Sequence, residues 1–156
     1  MSLIIATGSN IGDSVELLNE AKRELSKIFE LIQESRIYTS KAVDYLDQPD
    51  FFNQVLEFKI PGDSPQEVMN ILLALEKRMG RTRDVLRGPR TIDLDILFWG
   101  MTSLNTDTLT IPHPRWSQRS FVVLPLKELP FFQNIEKRFI IPESFEETAA
   151  PLATFG

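Results

Sequence analysis

Residues 52–79 read FNQVLEFKIPGDSPQEVMNILLALEKRM, and the spacing of their apolar side chains changes midway. From residue 52 to residue 60 apolar and polar residues alternate, so that Leu56, Phe58 and Ile60 are separated by Glu57 and Lys59. Successive side chains of a strand point to opposite faces of its sheet. The pattern therefore predicts a half-buried β-strand whose glutamate and lysine face solvent.

A helix is predicted directly after this strand. Pro61-Gly62-Asp63 ends the strand, and Ser64, Pro65 and Glu67 supply a capping serine, a proline at the first helical position and a glutamate at the third. The apolar stripe of the helix falls at helical spacing and comprises Val68, Ile71, Leu72, Leu75 and Met79. Gly80 is typical of a residue that stops a helix.

Other elements are predicted on both sides of this unit. Asp13 caps a helix, with Glu16 completing a capping box. The buried face of that helix is predicted to hold Val15, Leu18, Ala21, Leu25, Ile28 and Phe29. The remaining predicted elements are the strands Leu3–Thr7, Arg36–Ser40, Thr91–Trp99 and Leu109–Ile111 and a helix over Ser117–Leu129.

The order of these elements is strand, helix, two strands, helix and strand, with further elements after them. This order predicts an α+β fold, namely a ferredoxin-like α/β sandwich with a mainly antiparallel sheet and helices packed on it. The 156 residues fit one domain, 1–156, because no internal repeat or linker divides them.

The composition is that of a soluble globular protein, with 42% hydrophobic and 25% charged residues. Without cysteine the chain has no disulfide framework, thiol nucleophile or Cys-ligated zinc site. The N-terminal sequence MSLIIATGSN lacks the features of a signal peptide, and no apolar run approaches the roughly 20 residues of a membrane span. We expect a soluble, cytoplasmic protein. The net charge of −5 argues against nucleic acid as a partner.

Positive charge is concentrated in one segment of this acidic chain. Arg78, Arg81, Arg83, Arg87 and Arg90 lie close together, although the whole sequence has only 17 Lys and Arg. Such a segment indicates a local anion site, and the alternative is a solvated basic face.

Two aspartates follow the arginine segment. In the predicted strand Asp93 and Asp95 are two residues apart and project to the same face, whereas Ile92, Leu94, Ile96 and Phe98 are predicted to face the core. Paired carboxylates repel each other unless a cation lies between them, and magnesium takes one or two carboxylates together with water and substrate phosphates. The alternative is that one aspartate pairs with Arg90 and the other is exposed.

Two further features are less specific. Gly8-Ser9-Asn10-Ile11-Gly12 lacks the lysine and spacing of a Walker A motif and is interpreted as a structural turn. His113 is the one histidine, between two prolines. Zinc is disfavoured by a single histidine without cysteine, which leaves a structural role or a hydrogen bond to a phosphate oxygen.

Four stretches together resemble the 6-hydroxymethyl-7,8-dihydropterin pyrophosphokinase family. They are residues 8–10, 47–53, 88–97 (GPRTIDLDIL) and 109–121, and the resemblance covers roughly residues 1–129. It implies a diphosphotransferase with ATP as co-substrate, two Mg²⁺ ions and a pterin alcohol as acceptor.

The resemblance also implies roles for individual residues. The catalytic set comprises Arg81, Arg90, Asp93 and Asp95, of which Asp93 and Asp95 hold the metal. The ATP-binding set comprises Glu76, Arg83, Ile96, Thr110, His113 and Arg119. The pterin-binding set comprises Ser40, Val43, Phe51, Asn53 and Phe121, in which the two phenylalanines sandwich the ring. The alternative for Phe51 and Phe121 is that both belong to the core.

We expect in-line attack of the pterin hydroxymethyl oxygen on the β-phosphorus of ATP, with release of AMP, by a chain that acts as a monomer. Two rival functions follow from the same residues. One is a ferredoxin-like module that binds RNA through its arginines, which the negative charge and the absence of an RNP-type motif oppose. The other is a phosphohydrolase that uses the aspartate pair.

Overall fold

The computed structural model describes residues 1–41, 50–80, 92–145 and 148–152. Its strands are β1 (Ser2–Ser9), β2 (Leu31–Glu34), β3 (Tyr38–Ser40), β4 (Phe51–Lys59), β5 (Asp93–Trp99), β6 (Leu104–Asn105), β7 (Thr110–Ile111) and β8 (Ala150–Pro151). Its helices are α1 (Ser14–Ser26), α2 (Pro65–Arg78), α3 (Ser120–Leu126) and α4 (Phe132–Glu136), with a 3₁₀ turn at Trp116–Gln118 before α3.

The main sheet has the order β5-β1-β4-β3-β8, and β2 also pairs with β4. A separate two-stranded sheet joins β6 and β7. All strand pairs within the described residues are antiparallel. The α+β class, the mainly antiparallel sheet and the ferredoxin-like packing of helices on it are confirmed. None of the described helices has both the length and the apolar character needed to cross a membrane.

The predicted helix starts are formed by side-chain caps. The Asp13 carboxylate accepts a hydrogen bond from the Glu16 amide at 3.2 Å. At α2 the Ser64 hydroxyl accepts from the Glu67 amide while the Glu67 carboxylate accepts from the Ser64 amide, which is a complete capping box. Gly80 follows α2 with a φ of +87°, a conformation that favours glycine. Both predicted helix starts and the stop at Gly80 are therefore confirmed. The capping box predicted at Asp13 is only half formed, since the Glu16 carboxylate accepts from Arg23 instead.

One core lies between the sheet and the two long helices. Its sheet side chains include Leu3, Ile5, Leu56, Phe58 and Ile96, and α1 and α2 cover them with Leu18, Ala21, Leu25, Val68, Leu72 and Leu75. The predicted apolar faces of both helices are confirmed apart from Val15, which is half-buried outside the two cores, and Ile28, which is 46% exposed. Ile28 lies beyond the end of α1 at Ser26, so the helical spacing no longer turns it toward the sheet.

A second core covers the opposite face of the sheet. Ile4 and Val55 pack there against α3 and α4 through Val123, Leu126 and Ile135. The prediction that Glu57 faces solvent is therefore wrong, since the residue is 3% exposed. Its carboxylate accepts hydrogen bonds from the Ser2 hydroxyl at 2.8 Å and the Phe131 amide at 3.0 Å. The chain after α3 thus covers a face that the alternating pattern of β4 left open to water.

An irregularity in β5 changes which face Phe98 occupies. Ile4 is opposite Phe98 and Ile5 is opposite Ile96, so Leu97 is an extra residue in the register. A one-residue bulge interrupts the alternation of faces. Phe98 consequently packs in the second core with Leu97, and the prediction that it shares a face with Ile96 is wrong.

Several elements also differ from the predictions, and β6, α4 and β8 were not predicted. The strand predicted at Arg36–Ser40 is limited to Tyr38–Ser40, and the four-residue β2 before it, with three exposed positions, was not predicted. The helix predicted at Ser117–Leu129 is divided into the 3₁₀ turn and α3, and Pro125 lies within α3.

Both ends of α3 are tied to the edge of the main sheet. At its start, the buried Ser120 hydroxyl accepts from the Ala149 amide at 2.9 Å, and β8 pairs with β3 beside it. Just beyond its end, the Glu128 carboxylate accepts from the Arg36 amide and guanidinium and from the Tyr38 hydroxyl. Burial, followed by the hydrogen bond to Glu128, raises the pKa of Tyr38 to about 12, so this hydroxyl stays protonated and donates.

We predict that Ser120→Ala lowers the free energy of unfolding by about 1–3 kcal/mol, because the buried Ala149 amide loses its acceptor. Urea denaturation monitored by circular dichroism measures the change. The exposed Ser103, which lies in the turn before β6, provides the matched control as Ser103→Ala. Equal unfolding free energies for the two variants would show that the contact between α3 and the C-terminal strand does not stabilise the fold.

Candidate active site

The registers of β1 with its two neighbours bring polar residues onto one face of the sheet. Gly8 lies opposite Asn53 of β4 and opposite Asp93 of β5, and Ala6 lies opposite Asp95. Cross-strand partners share a face, so Asn53, Asp93 and Asp95 are on the same side. Leu94 and Ile96, which alternate with the aspartates along β5, pack in the first core under α1 and α2. The aspartates therefore lie on the opposite side of the sheet.

A cleft opens over this end of the sheet. It has about 380 Å³ of empty space, part of which is open to solvent. Its floor and walls are formed by the three sheet strands β1, β4 and β5 and by the segment from the end of β7 into α3. The lining residues are Ala6, Thr7, Gly8, Asn53, Gln54, Asp93, Asp95, Leu97, His113, Arg119, Phe121 and Val122.

Six residues that the sequence singled out are brought together in this cleft: Asn53, Asp93, Asp95, His113, Arg119 and Phe121. They come from three separate parts of the chain. Ala6, Thr7, Gln54 and Val122 are among the lining residues that the sequence did not single out. The interpretation of Gly8 as part of a turn is wrong, because Gly8 lies within β1. The small size of Ala6 and Gly8 was the one available signal, since a strand that lines a cleft needs room above it.

The other predicted residues lie around the cleft or on the other face. Ser40 pairs with Phe51 across β3 and β4, next to the cleft residue Asn53. Ile96 is buried in the first core. The Thr110 hydroxyl donates to Asn105 in the β6–β7 sheet. Arg81, Arg83, Arg90 and Val43 lie outside the described residues.

Glu76 has a position that explains how β5 is held. Its side chain is buried, and its carboxylate accepts from the Leu94 amide at 2.8 Å. Leu94 lies between the two aspartates on the strand that forms one end of the main sheet. The edge strand β5 is thus bonded to β1 on one side and to Glu76 of α2 through Leu94, the residue between Asp93 and Asp95.

The two aspartates suit a magnesium ion that also contacts a substrate. Both side chains are half-buried at the cleft, and they project from the same face of β5. Among the described residues, no cluster of three or more acidic or histidine side chains could hold a metal by itself. A cation held by Asp93 and Asp95 would therefore complete its shell with water and phosphate oxygens, as Mg²⁺ usually does.

His113 presents a defined hydrogen-bonding edge to the cleft. Its backbone amide donates to the Leu97 carbonyl at 3.0 Å, and its Nδ1 accepts from the Arg115 amide at 3.2 Å. The neutral ring therefore carries its proton on Nε2. Burial, then the positive charge of Arg119, lowers the pKa of His113, whereas the Asp93 carboxylate raises it. At neutral pH the imidazole is an uncharged donor.

Arg119 and Phe121 form the wall of the cleft opposite the sheet. Arg119 is the residue before α3, and its guanidinium carbon lies 5.6 Å from the centre of the Phe121 ring. Ser120 between them is buried against the C-terminal strand, and Val122 and Val123 continue into the second core. The wall is therefore supported from behind by the same contacts that anchor α3.

Because His113 is the one histidine of the chain, proton NMR follows its titration directly. We predict a midpoint below the ordinary value of 6.5. Asp93→Asn should lower the midpoint further and Arg119→Gln should raise it, because the two charges act on the imidazolium with opposite signs. General loosening of the cleft would instead move both variants toward the ordinary value, and that result would contradict the electrostatic assignment.

The lowered pKa of His113 also predicts how the free energy of unfolding changes with pH. The folded state holds His113 neutral, so its contribution to stability is complete above the ordinary pKa of 6.5 and is lost as the pH falls toward the lower folded value.

Comparison with known proteins agrees with this geometry. A family model described as 7,8-dihydro-6-hydroxymethylpterin-pyrophosphokinase (HPPK) matches residues 4–130. The 2-amino-4-hydroxy-6-hydroxymethyldihydropteridine pyrophosphokinase of Bacillus subtilis is 39% identical over 145 residues, which are 92% of this chain and 85% of the relative. The Haemophilus influenzae protein of the same name is 38% identical over 147 residues, 93% of this chain and 91% of the relative.

A longer relative contains a region similar to this chain. The folic acid synthesis protein fol1 of Pneumocystis carinii is 36% identical over 129 residues, which are 82% of this chain and 17% of that protein. The chain thus spans about one sixth of this relative and most of the two bacterial ones. On the family match and the bacterial identities, the chain belongs to the 7,8-dihydro-6-hydroxymethylpterin-pyrophosphokinase family of ATP-dependent diphosphotransferases.

Proposed function

We propose that the cleft binds ATP and 6-hydroxymethyl-7,8-dihydropterin together and transfers the terminal diphosphate of ATP to the hydroxymethyl oxygen. The observation that carries this proposal is the pairing of two kinds of surface in one cleft. An acidic pair with an arginine and a neutral histidine suits a metal-bound polyphosphate, and an aromatic ring with an amide suits a flat, polar heterocycle.

The phosphate end of the cleft would be built from Asp93 and Asp95 and from the donors across from them. Two bound Mg²⁺ ions would neutralise phosphate charge and hold both reactants in line. Arg119 and the Nε2 proton of His113, both at the cleft, are proposed to donate to phosphate oxygens. Arg81 and Arg90 are assigned to the transferring diphosphate, by resemblance to the family.

The remaining ATP-binding residues are also proposed from the resemblance to the family. For two of them, Ile96 and Glu76, the structure limits which groups could contribute. Arg83, Ile96 and Thr110 are proposed to hold the nucleotide, Ile96 with backbone groups because its side chain is in the core. For Glu76 we propose a contribution through β5, since its carboxylate accepts from the Leu94 amide between the catalytic aspartates.

The pterin end of the cleft would combine a ring face with polar edges. Phe121 is half-buried and supplies an aromatic face at the cleft wall, and Phe51 is proposed as its stacking partner. Asn53 on the cleft floor is proposed to contact the ring edge, with backbone groups of Ser40 and Val43. Aromatic faces orient the plane of the ring and fixed amides select its hydrogen-bonding pattern.

In the proposed reaction the hydroxymethyl oxygen attacks the β-phosphorus of ATP. A bond forms between this oxygen and the β-phosphorus while the bond from that phosphorus to the oxygen bridging it to the α-phosphorus breaks. AMP leaves, and the hydroxyl proton passes to solvent water. The protein's contribution is positioning and charge stabilisation rather than covalent catalysis. We propose that the chain performs this reaction in folate synthesis as a monomer in the cytoplasm.

Product analysis tests the reaction. We predict that incubation with ATP, Mg²⁺ and 6-hydroxymethyl-7,8-dihydropterin yields AMP and pterin diphosphate in equal amounts, separated by ion-exchange chromatography. Asp95→Ala should lower turnover by at least about 100-fold, the scale of losing one strong electrostatic stabiliser, with an unchanged melting curve. Accumulation of ADP, or hydrolysis of ATP without pterin, would indicate a phosphotransferase or phosphohydrolase of another kind.

Phe121→Ala tests the pterin end of the cleft. We predict that it weakens pterin binding about ten- to a hundredfold, the scale of one stacking contact, with little change for a non-hydrolysable ATP analogue. Phe132→Ala is the matched control, because Phe132 packs against the same core without lining the cleft. Calorimetric titration with each ligand separates the effects. Equal loss of both ligands in Phe121→Ala would assign Phe121 to the core alone.

A further inference from the structure

Gly8 occupies a position where a side chain would collide with the carboxamide of Asn53. A Cβ atom built on Gly8 would lie 2.7 Å from the Asn53 Oδ1, a separation that real Cβ atoms essentially never show. The next nearest atoms, the Asn53 Cγ and the Phe52 carbonyl oxygen, are both at 3.8 Å, which is ordinary contact distance. The side-chain amide of Asn53 alone therefore fills the space that the missing Cβ leaves.

Backbone conformation does not explain this glycine. The described glycines with positive φ are Gly12, Gly80 and Gly100, and Gly8 is not among them. Gly8 lies inside β1, paired on both sides with extended strands. Any residue can adopt that conformation, so the constraint on a side chain at this position is steric and comes from the Asn53 carboxamide.

The Oδ1 atom of the Asn53 side chain lies over Gly8, and its Nδ2 atom is a buried hydrogen-bond donor. Within the described part of the chain its Nδ2 is buried and has no hydrogen-bond partner. Burying an amide N–H without an acceptor is unfavourable. Asn53 also lines the cleft, so a ligand in the cleft could supply the acceptor that the protein lacks.

We infer that Gly8 is a positioning residue for recognition of the heterocycle. The space above Gly8 accommodates the Asn53 carboxamide. In this position Nδ2 can donate to an acceptor on the edge of a flat ring. This inference rests on the proposed function, in which the pterin occupies this end of the cleft. It assigns to Gly8 a part in substrate selection rather than in phosphate binding.

A methyl group at position 8 would act through Asn53 and not on the pterin itself. The Asn53 carboxamide would rotate or shift away from β1, because the backbone of β1 is fixed by strands on both sides. The Nδ2 donor would then miss its acceptor. Gly8→Ala should therefore cost as much pterin affinity as removal of the carboxamide, although it deletes no polar group.

A double-mutant cycle tests the inference by calorimetric titration with 6-hydroxymethyl-7,8-dihydropterin in the presence of Mg²⁺ and a non-hydrolysable ATP analogue. Gly8→Ala and Asn53→Ala should each weaken pterin binding roughly ten- to a hundredfold, the scale of one lost hydrogen bond to a buried group. The double variant should be no weaker than Asn53→Ala, because both changes remove the same contact. The ATP analogue should bind all three variants within about twofold of the unsubstituted protein.

Gly62→Ala is the matched control, because a Cβ at Gly62 meets nothing within 4 Å and Gly62 also has no positive φ. It should bind both ligands normally. If Gly8→Ala alone fails to fold, the double variant should recover the melting temperature, since it removes the obstructing amide. Failure to recover it would overturn the inference.

Unchanged pterin affinity in Gly8→Ala, or losses that add in the double variant, would likewise overturn the inference and leave the proposed function intact. If the unsubstituted protein binds the ATP analogue but no pterin, the proposed function fails instead, and the inference with it.

Discussion

β1 is hydrogen-bonded on both edges, and its registers with β4 and β5 determine which side chains can meet in the cleft. Opposite Gly8 lie Asn53 and Asp93, one from each neighbour, so that an amide and a carboxylate flank a residue without a side chain. A slip of one residue in either register would turn these groups to the other face, where the long helices pack. The apolar burial that fixes the register of three strands therefore also fixes the geometry of the site. The packing of the core under α1 and α2 is therefore coupled to the arrangement of the polar residues, although these residues lie on the opposite face of the sheet.

The cleft exists because the second face of the sheet is only partly filled. Toward one end, Ile4 and Phe98 pack under α3 and the segment after it. Toward the other end, β1 carries Ala6 and Gly8 on the same face, and these small residues leave space above the sheet. The start of α3 stands over that space without entering it, since Ser120 is held from behind by the C-terminal strand. That strand lies beyond the family match at residues 4–130, yet it supports the wall from which Arg119 and Phe121 reach the cleft.

The sequence predicted the parts of this structure that depend on local patterns. The strand and capped helix over residues 52–79, the α+β class and the shared face of the two aspartates all follow from periodicity and capping. The errors arose where distant contacts override the local pattern. Glu57 is buried because the chain around Phe131 covers it, and Phe98 changes face because of an extra residue in β5. The steric role of Gly8 could not be predicted for the same reason, since it depends on a cross-strand register with a residue far along the chain.

The charges in the cleft are arranged in two opposed groups. The carboxylates come from β5, whereas the guanidinium of Arg119 and the imidazole of His113 come from the segment that follows β7. A polyphosphate alone would be attracted by one group and repelled by the other, so its binding between them requires a cation on the carboxylate side. Such a cation would cancel the influence of Asp93 that raises the pKa of His113, while burial and Arg119 would continue to lower it. Because Nδ1 accepts from the Arg115 amide, the proton of the neutral imidazole lies on Nε2. A cation on the carboxylates and a phosphate at Nε2 would act on the pKa of His113 with opposite signs, so the Nδ1 contact with the Arg115 amide, rather than charge, orients the donor.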